Sequence, residues 1–390
     1  MPAQPAADLI HHFSALTDPR VERTKEHKLI DIVVVAICAI LAGADGWVAV
    51  ETFGHAKATW LHTVLELPIG IPSHDTFGRV FGQLDPAEFQ DAFFNWVQAV
   101  RETLKGQSIA LDGKSLRRSH DKGLGKGAIH MVSAWATAQR LVLGQRKIDE
   151  KSNEISALPE LLKVLALEGC IVTIGALGCQ TEIAETIVQQ GADYVLAVKE
   201  NQGKLHEDVQ DLFAGADEVN FCDVPHDYAR QVTQDHGRLE IRECWVFAAP
   251  EYLDYVRRAE AWKKLHSVVR ICEVRHEHSM VSRETRYFIS SLAGSAQRMI
   301  KVGRGHWGIE NGLHWVLDVT FREDDCRVRK DHAPENFAVL RHIALNVLNC
   351  ARNGKDSIKT MLPEWLSRSR PLFWQGLSNQ TAIGQNGKTG

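Results

Sequence analysis

The sharpest pattern of polar and apolar positions lies at 304–321, RGHWGIENGLHWVLDVTF. Read as a helix, it has two faces. His306, Glu310, His314 and Asp318 recur every four residues and stack as one polar stripe. Ile309, Leu313, Val316 and Thr320 form a mostly apolar stripe that can dock on a core. Trp307 and Trp315 flank the polar stripe. One carboxylate between two imidazoles, edged by indoles, is unusual for a plain surface helix. It points to Glu310 as one carboxylate of a metal-dependent phosphoryl-transfer site.

The periodicity over residues 1–104 is helical. Residues 29–41 form a strongly apolar helix after a charged segment. Residues 47–61 continue with Trp47, Val50, Phe53 and Trp60 at near-helical spacing. Ser73 can cap a short helix carrying Phe77, Val80 and Phe81, and Asp85-Pro86 opens another with Phe89, Phe93, Trp96 and Val97 inside. Such a bundle, with a short helix after a tight turn, suits a helix-turn-helix-like DNA reader. It equally suits a helical cap that packs on the next unit.

From 108 the pattern becomes strand-like. Strands are expected at 109–116, 131–138, 141–148, 170–174 and 194–198, with helices at 155–167 and 181–190. Three strands, helix, strand, helix, strand is the order of an RNase H-like α/β sheet with a central antiparallel hairpin and later parallel crossovers. Residues 200–283 read as an insertion into that core. It adds strands at 239–247 and 266–274 with an aromatic, charged helix at 252–264 between them. A strand at 286–292 returns to the core, and an apolar helix at 336–348 follows Pro334. The expected architecture is therefore an all-α N-terminal domain (1–104) and an RNase H-like catalytic domain (105–350, insertion about 200–283). A C-terminal segment (351–390) becomes a mobile tail from about 375.

Composition changes this picture little. The 390 residues suggest two or three units, and 44% hydrophobic with 24% charged residues argues against global disorder. A net charge of −4 neither indicates nor excludes nucleic acid, because binding needs local basic patches. The eight cysteines include no CxxC pair, so they read as reduced thiols of a cytoplasmic protein. The longest apolar run, 32–44, is too short to span a bilayer, and the N-terminus lacks a signal-peptide pattern.

The candidate chemistry rests on carboxylates from separate elements. Asp112 ends the first expected sheet strand, and with Glu310 it could hold Mg²⁺, a hard ion that takes oxygen ligands. Two such ions about 4 Å apart support in-line phosphodiester displacement. Taken alone, Asp112 is as readily a turn aspartate before Gly113. Residues 112–151 are basic through Lys114, Arg117, Arg118, Lys122, Lys126, Arg140, Arg146, Lys147 and Lys151, which suits a polyanion beside an acidic site. Lys199 and Lys204 bracket the end of a later strand and could contact phosphates, as could Arg327 and Arg329, although Glu323, Asp324 and Asp325 offset the latter pair. Zinc on His306, Glu310 and His314 is a rival reading, but HExxH spacing is absent and no cysteine pair is near. His276 and His278 read as exposed strand residues.

Four segments carry a resemblance: ALDGKSLRRS (110–119), EKSNEISALPELL (150–162), GADYVLAVKENQ (191–202) and RGHWGIENGLHWVLDVTFREDDCRVR (304–329). They resemble the ISAs-type bacterial insertion-sequence transposases, a group that includes the H-repeat-associated proteins. DPRVERTKEHKLIDI and GIPSHDTFGRVF (70–81) resemble that group's associated N-terminal domain. The resemblance spans about residues 10–350. It implies a DDE transposase: three carboxylates bind two Mg²⁺ or Mn²⁺ ions, cut the transposon ends and direct a freed 3′-hydroxyl at target DNA. By position the first acidic residue is Asp112 and the last is Glu310. Arg304, His306, Trp307, Asn311 and His314 lie in the same motif, as neighbours able to position DNA or the glutamate.

The middle acidic residue is missing. Gly175, in TIGALGCQ (173–180), stands where the resemblance puts the second aspartate, and neither Glu182 nor Asp193 is an obvious substitute. The resulting expectation is a DNA transposase, bound to inverted-repeat ends as a homodimer, whose catalysis is impaired. Two other classes remain open: a non-catalytic DNA-binding derivative, and an unrelated metal-dependent nuclease or phosphatase.

Overall fold

The computed structural model describes all residues except 1–4, 102–103, 121–126, 149–152, 236, 278–279, 353–355 and 368–390. Lys122, Lys126, Lys151, His278 and the tail from 375 lie outside the described residues.

Six helices come first: α1 (Pro5–Phe13), α2 (Leu29–Leu41), α3 (Trp47–Ala56), α4 (Ala58–Leu61), α5 (His74–Gln83) and α6 (Pro86–Val100). The single helix expected over 47–61 is broken at Lys57, whose φ/ψ of −114°/14° leaves the helical region. Side chains cap two starts: Ser73 accepts from the Thr76 N–H and Asp85 from the Ala87 N–H. All of α2 except Ile30 is buried, so it is a core helix rather than a surface one.

The α/β part runs β1 (Ser108–Leu116), β2 (Ile129–Ala136), β3 (Leu141–Ile148), α7 (Glu154–Val164), β4 (Ile171–Ile174), α8 (Thr181–Gln189) and β5 (Asp193–Val198). Next come α9 (Gly203–Glu218), β6 (Asp227–Asp235), β7 (Arg238–Phe247), α10 (Pro250–Leu253), β8 (Ser267–Glu277) and β9 (Met280–Ser290). The chain then forms α11 (Ala296–Ile309), a π-helical turn (Glu310–His314), α12 (Trp315–Val319), α13 (Ala333–Ala351) and α14 (Ile358–Ser367).

The strands make one nine-stranded mixed sheet in the order β3-β2-β1-β4-β5-β9-β8-β7-β6. Only β1/β4 and β4/β5 are parallel. The β2–β3 hairpin lies at an edge rather than at the centre, because the parallel strands β4 and β5 add on the other side of β1 and β3 is left as the terminal strand. The long helix expected at 252–264 is instead α10 followed by a short 3₁₀ turn at Ala259–Ala261. Arg258 between them takes a left-handed φ of 60°, which an α-helix cannot accommodate. Helix α9 is absent from the expectation although its apolar repeat at Leu205, Val209, Phe213 and Ala216 is legible, whereas β6 is largely exposed and carries little pattern.

Helix α13 ties the parts together. Asn336 Nδ2 donates to the Phe81 and Leu84 carbonyls at the end of α5. Asn346 pairs with both backbone groups of Val142 at 2.8 Å, completing hydrogen bonds at the outer edge of β3. Trp47 stacks on Phe81 and meets Phe337 edge-on. The N-terminal helices therefore pack on the α/β core. Of the eight cysteines, all are free thiols, and four are buried.

Candidate functional site

The site forms where parallel strands end at different lengths. Strand β1 pairs with β2 through Leu116, but its pairing with β4 stops at Leu111↔Ile174. Asp112 is therefore the first β1 residue past the end of β4, and Gly175 is its neighbour one step past Ile174. Carboxyl ends of adjacent parallel strands are a common place for a site in α/β sheets. In this register a side chain at 175 would project from the same face as Asp112.

Helix α11 crosses that face, and close approach needs glycine. A Cβ on Gly308 would meet Thr137 Cγ2 at 3.1 Å, and one on Gly312 would meet Trp135 Cζ2 at 2.8 Å. The helix then widens into the π turn at Glu310–His314. Such turns re-aim side chains and recur at functional sites. The result brings three ligand atoms of Asp112, Glu310 and His314 within 4.8 Å of one another. His314 Nδ1 lies 3.0 Å from Glu310 Oε2 and 3.7 Å from Asp112 Oδ2. The His314 ring is 5% exposed while Glu310 is 59% exposed. Asp112 also accepts the Gly113 N–H through Oδ1 at 3.0 Å.

Both ends of the polar stripe are tied to the sheet. His306 Nδ1 is hydrogen bonded to Thr173 Oγ1 of β4 at 3.0 Å. Burial pushes the His306 pKa down; the Asp112 carboxylate opposes this and Arg286 adds to it. Zinc held by His306, Glu310 and His314 does not match this geometry, because the converging third group is Asp112 and His306 is engaged by Thr173. At the stripe's other end, Asp318 pairs with Lys114.

Lys114 is not free to meet a phosphate. Its ammonium pairs with Asp318 and, at 2.6 Å, with Glu323, and its side chain is 12% exposed. Glu323 also pairs with Arg341 at 3.4 Å. Burial alone would lower the Lys114 pKa, but Glu323 and Asp318 raise it overall. Burial likewise opposes ionisation of Glu323, but Lys114 and Arg341 hold its pKa below the usual carboxylate value. This network anchors β1 to the segment after α12 and to α13.

The other sequence candidates fall into separate places. Lys199, exposed just past β5, lines a cleft of 850 Å³ with Asp112, Glu154, Gly175 and Arg286. Arg304, Trp307 and Asn311 line an adjoining groove of 380 Å³ together with Arg238, Arg275 and Arg286. Arg327 and Arg329 line a third cleft, of 1030 Å³, against Ser73, His74 and Arg79 of the N-terminal helices. Arg117 and Arg118 pair with Asp324 and Asp325. Lys204 is exposed at the start of α9, and its carbonyl accepts from Arg257.

Two residues near the centre were given no role by the sequence. Glu154 packs against Gly113, where an added Cβ would come 2.1 Å from its Oε1. Burial and the Asp112 charge push its pKa up. It lay within the resembling segment 150–162, but nothing in its spacing signalled the site. Arg286 stacks its guanidinium 4.0 Å above the Trp307 ring, which remains 45% exposed. It reaches the centre only because β9 pairs beside β5. Asp193 lies at the opposite end of β5, held by Lys264 and Ser291, and does not reach the cluster at Asp112.

The family described as Transposase DDE domain matches residues 103–347, and the DDE_Tnp_1-associated family matches residues 10–97. This chain belongs to the DDE insertion-sequence transposases. It is 42% identical over 342 residues to the "H repeat-associated putative transposase YhhI" of Escherichia coli strain K12, covering 87% of this chain and 90% of that protein. It is 40% identical over 353 residues to the "Putative transposase YncI" of Escherichia coli O157:H7, covering 90% of each. A solved piggyBac transposase synaptic complex with hairpin DNA aligns with a TM-score of 0.44 at 12% identity, covering 96% of this chain and 79% of that one. Transposases of the DDE family use divalent metals, and among the described residues Asp112, Glu310 and His314 form a cluster that could hold one. Among the described residues, no helix is long and apolar enough to cross a membrane.

Proposed function

We propose that this transposase binds the inverted-repeat ends of an insertion sequence as a homodimer on double-stranded DNA. Its catalytic cleavage and strand transfer are impaired because Gly175 replaces the second aspartate. The observation that carries this reading is the register at the site. Gly175 sits beside Asp112, in extended backbone (φ −63°, ψ 172°), and a Cβ built on it meets nothing within 4 Å. The position has room and geometry for a carboxylate and lacks one. The strand order β3-β2-β1-β4-β5 also supports an RNase H-like core, with β6–β9 as its insertion.

The donors fit a divalent cation only in part. Asp112 and Glu310 are hard oxygen ligands suited to Mg²⁺ or Mn²⁺, but a pair of such ions would lack the third carboxylate. Bound cations of this kind activate the attacking oxygen and stabilise the leaving one. The chain's own contribution is to fix the two carboxylates and to gather the polyanion. Lys199 and Arg286 line the cleft beside Asp112, and Arg304, Trp307 and Asn311 line the groove beyond Glu310. Arg117, Arg118, Lys204, Arg327 and Arg329 are the more distant candidates for phosphate contact. Losing one carboxylate should cost many powers of ten in rate, since fixed electrostatic stabilisation of the transferring phosphoryl group is the main catalytic term.

The test is a cleavage assay in parallel. Labelled end DNA with Mg²⁺ or Mn²⁺ is given to this chain and to Gly175→Asp. Cleavage by the aspartate variant alone is the expected outcome. Equal cleavage by both would refute impairment. The missing carboxylate also favours a second reading, a transposase-derived DNA-binding protein without catalysis. It predicts tight end binding by both chains and cleavage by neither.

A further inference from the structure

We propose that His314 takes the ligand place that Gly175 leaves without a side chain. Asp112, Glu310 and His314 Nδ1 then hold one divalent cation, with a preference for Mn²⁺, Co²⁺ or Zn²⁺ over Mg²⁺. The inference rests on the reading above only for placing a cation here; the ligand set comes from this chain's own geometry.

Ligand atoms in cis positions around an octahedral ion with bonds of about 2.1 Å stand ~3.0 Å apart. The Nδ1–Glu310 separation of 3.0 Å already has that value, and the Nδ1–Asp112 separation of 3.7 Å needs only a small closure. Glu310 is more than half exposed and Asp112 partly so; both can rotate, whereas the imidazole is held in the core. The His314 ring is a buried group aimed into the cluster, and its Nε2 has no hydrogen-bond partner. In the cation-free chain Glu310 accepts the Nδ1–H of His314, so a cation bound at Nδ1 displaces that proton, as metal binding to imidazole requires. The i,i+4 spacing of Glu310 and His314, inside the π turn, places Nδ1 beside Glu310.

The preference follows from the donors. Exchanging a third carboxylate for an imidazole lowers the ligand charge from −3 to −2 and replaces a hard oxygen by a borderline nitrogen. Imidazole suits Zn²⁺ and similar first-row ions, while Mg²⁺ favours all-oxygen sites. Glu154 is the competing ligand, because it lines the same cleft and lies against Gly113.

The experiment uses the full-length, untagged chain without DNA. Mn²⁺ is titrated in, and pulsed electron paramagnetic resonance reads nitrogen coupling to the bound ion. The expected result is one Mn²⁺ with directly coordinated nitrogen, and loss of that signal in Asp112→Asn. In His314→Gln the nitrogen signal disappears and affinity falls by about tenfold or more; in Glu154→Gln both survive. Mg²⁺ should displace Mn²⁺ only in large excess. Bound Mn²⁺ without nitrogen coupling, a signal that survives Asp112→Asn, no bound Mn²⁺ at all, or loss confined to Glu154→Gln would each overturn the proposal. The nitrogen signal is read on the unaltered chain, so it stands even if a variant misfolds. It is independent of end binding and cleavage, so failure of the transposase reading shows separately.

Discussion

Replacing Lys114 with methionine separates a structural lysine from a phosphate-binding one. Methionine keeps the length and apolar stem and removes the charge. In the folded chain, Lys114, Arg117 and Arg341 balance Asp318, Glu323 and Asp324, so the cluster carries no net charge. The variant leaves one negative charge in excess. Glu323, 2% exposed, then keeps only the more distant Arg341. At an effective dielectric near 20, the lost 2.6 Å attraction is about 6 kcal/mol before desolvation is counted. Sparing the ammonium its desolvation offsets part of this. Cutting one partner from a buried pair generally costs about 3–5 kcal/mol, and the lower end, about 3 kcal/mol, suits a cluster with a second cation in reach. Urea unfolding followed by tryptophan fluorescence should show a clearly lower midpoint. A second change, Glu323→Gln, should restore much of it by removing the stranded charge. Intact stability, with end-DNA affinity weakened and its salt slope reduced by about one, would refute this account and return Lys114 to the phosphate backbone.

Three further outcomes follow from particular contacts. Asn346→Leu strands the N–H and C=O of Val142 and should cost about 2–4 kcal/mol of stability, read from the same urea midpoints. Gly312→Ala drives a methyl against Trp135, so it should shift the π turn and weaken Mn²⁺ binding more than it lowers melting temperature. Burial pushes the His342 pKa down to about 4, with Glu323 opposing. The unfolded chain, with an ordinary value of about 6.5, therefore takes the proton first, so this contribution to stability is complete above about pH 6.5 and erodes as pH falls toward 4. The loss is about 3 kcal/mol at the acid end. His342→Gln should flatten that part of the melting-temperature profile between about pH 7 and pH 4.5, and an unchanged slope would count against it.

The sequence by itself determined the local pieces. Period and caps placed α2, α5 and α6, the β1–β5 order and the apolar face of the segment after Arg304, because these depend on spacing within one element. The four-residue repeat from His306 to Asp318 was legible for the same reason, and the glycine at 175 showed as a departure from a familiar segment. What a one-dimensional pattern cannot carry is which solvent-like residues are not in solvent. Lys114 and Arg327 look alike in the sequence. Only packing against α12 and α13 makes the first a buried ion partner, while the second stays on an open cleft. Glu154 and Arg286 come from elements far apart in the chain, and sheet pairing and close packing alone bring them to the cleft beside Asp112. How closely the helix approaches the sheet at Gly308 and Gly312 is likewise set by the packing against Thr137 and Trp135. Spacing along one element is written in the chain; convergence between elements is decided by how their faces pack, and the candidate cation site is a product of convergence.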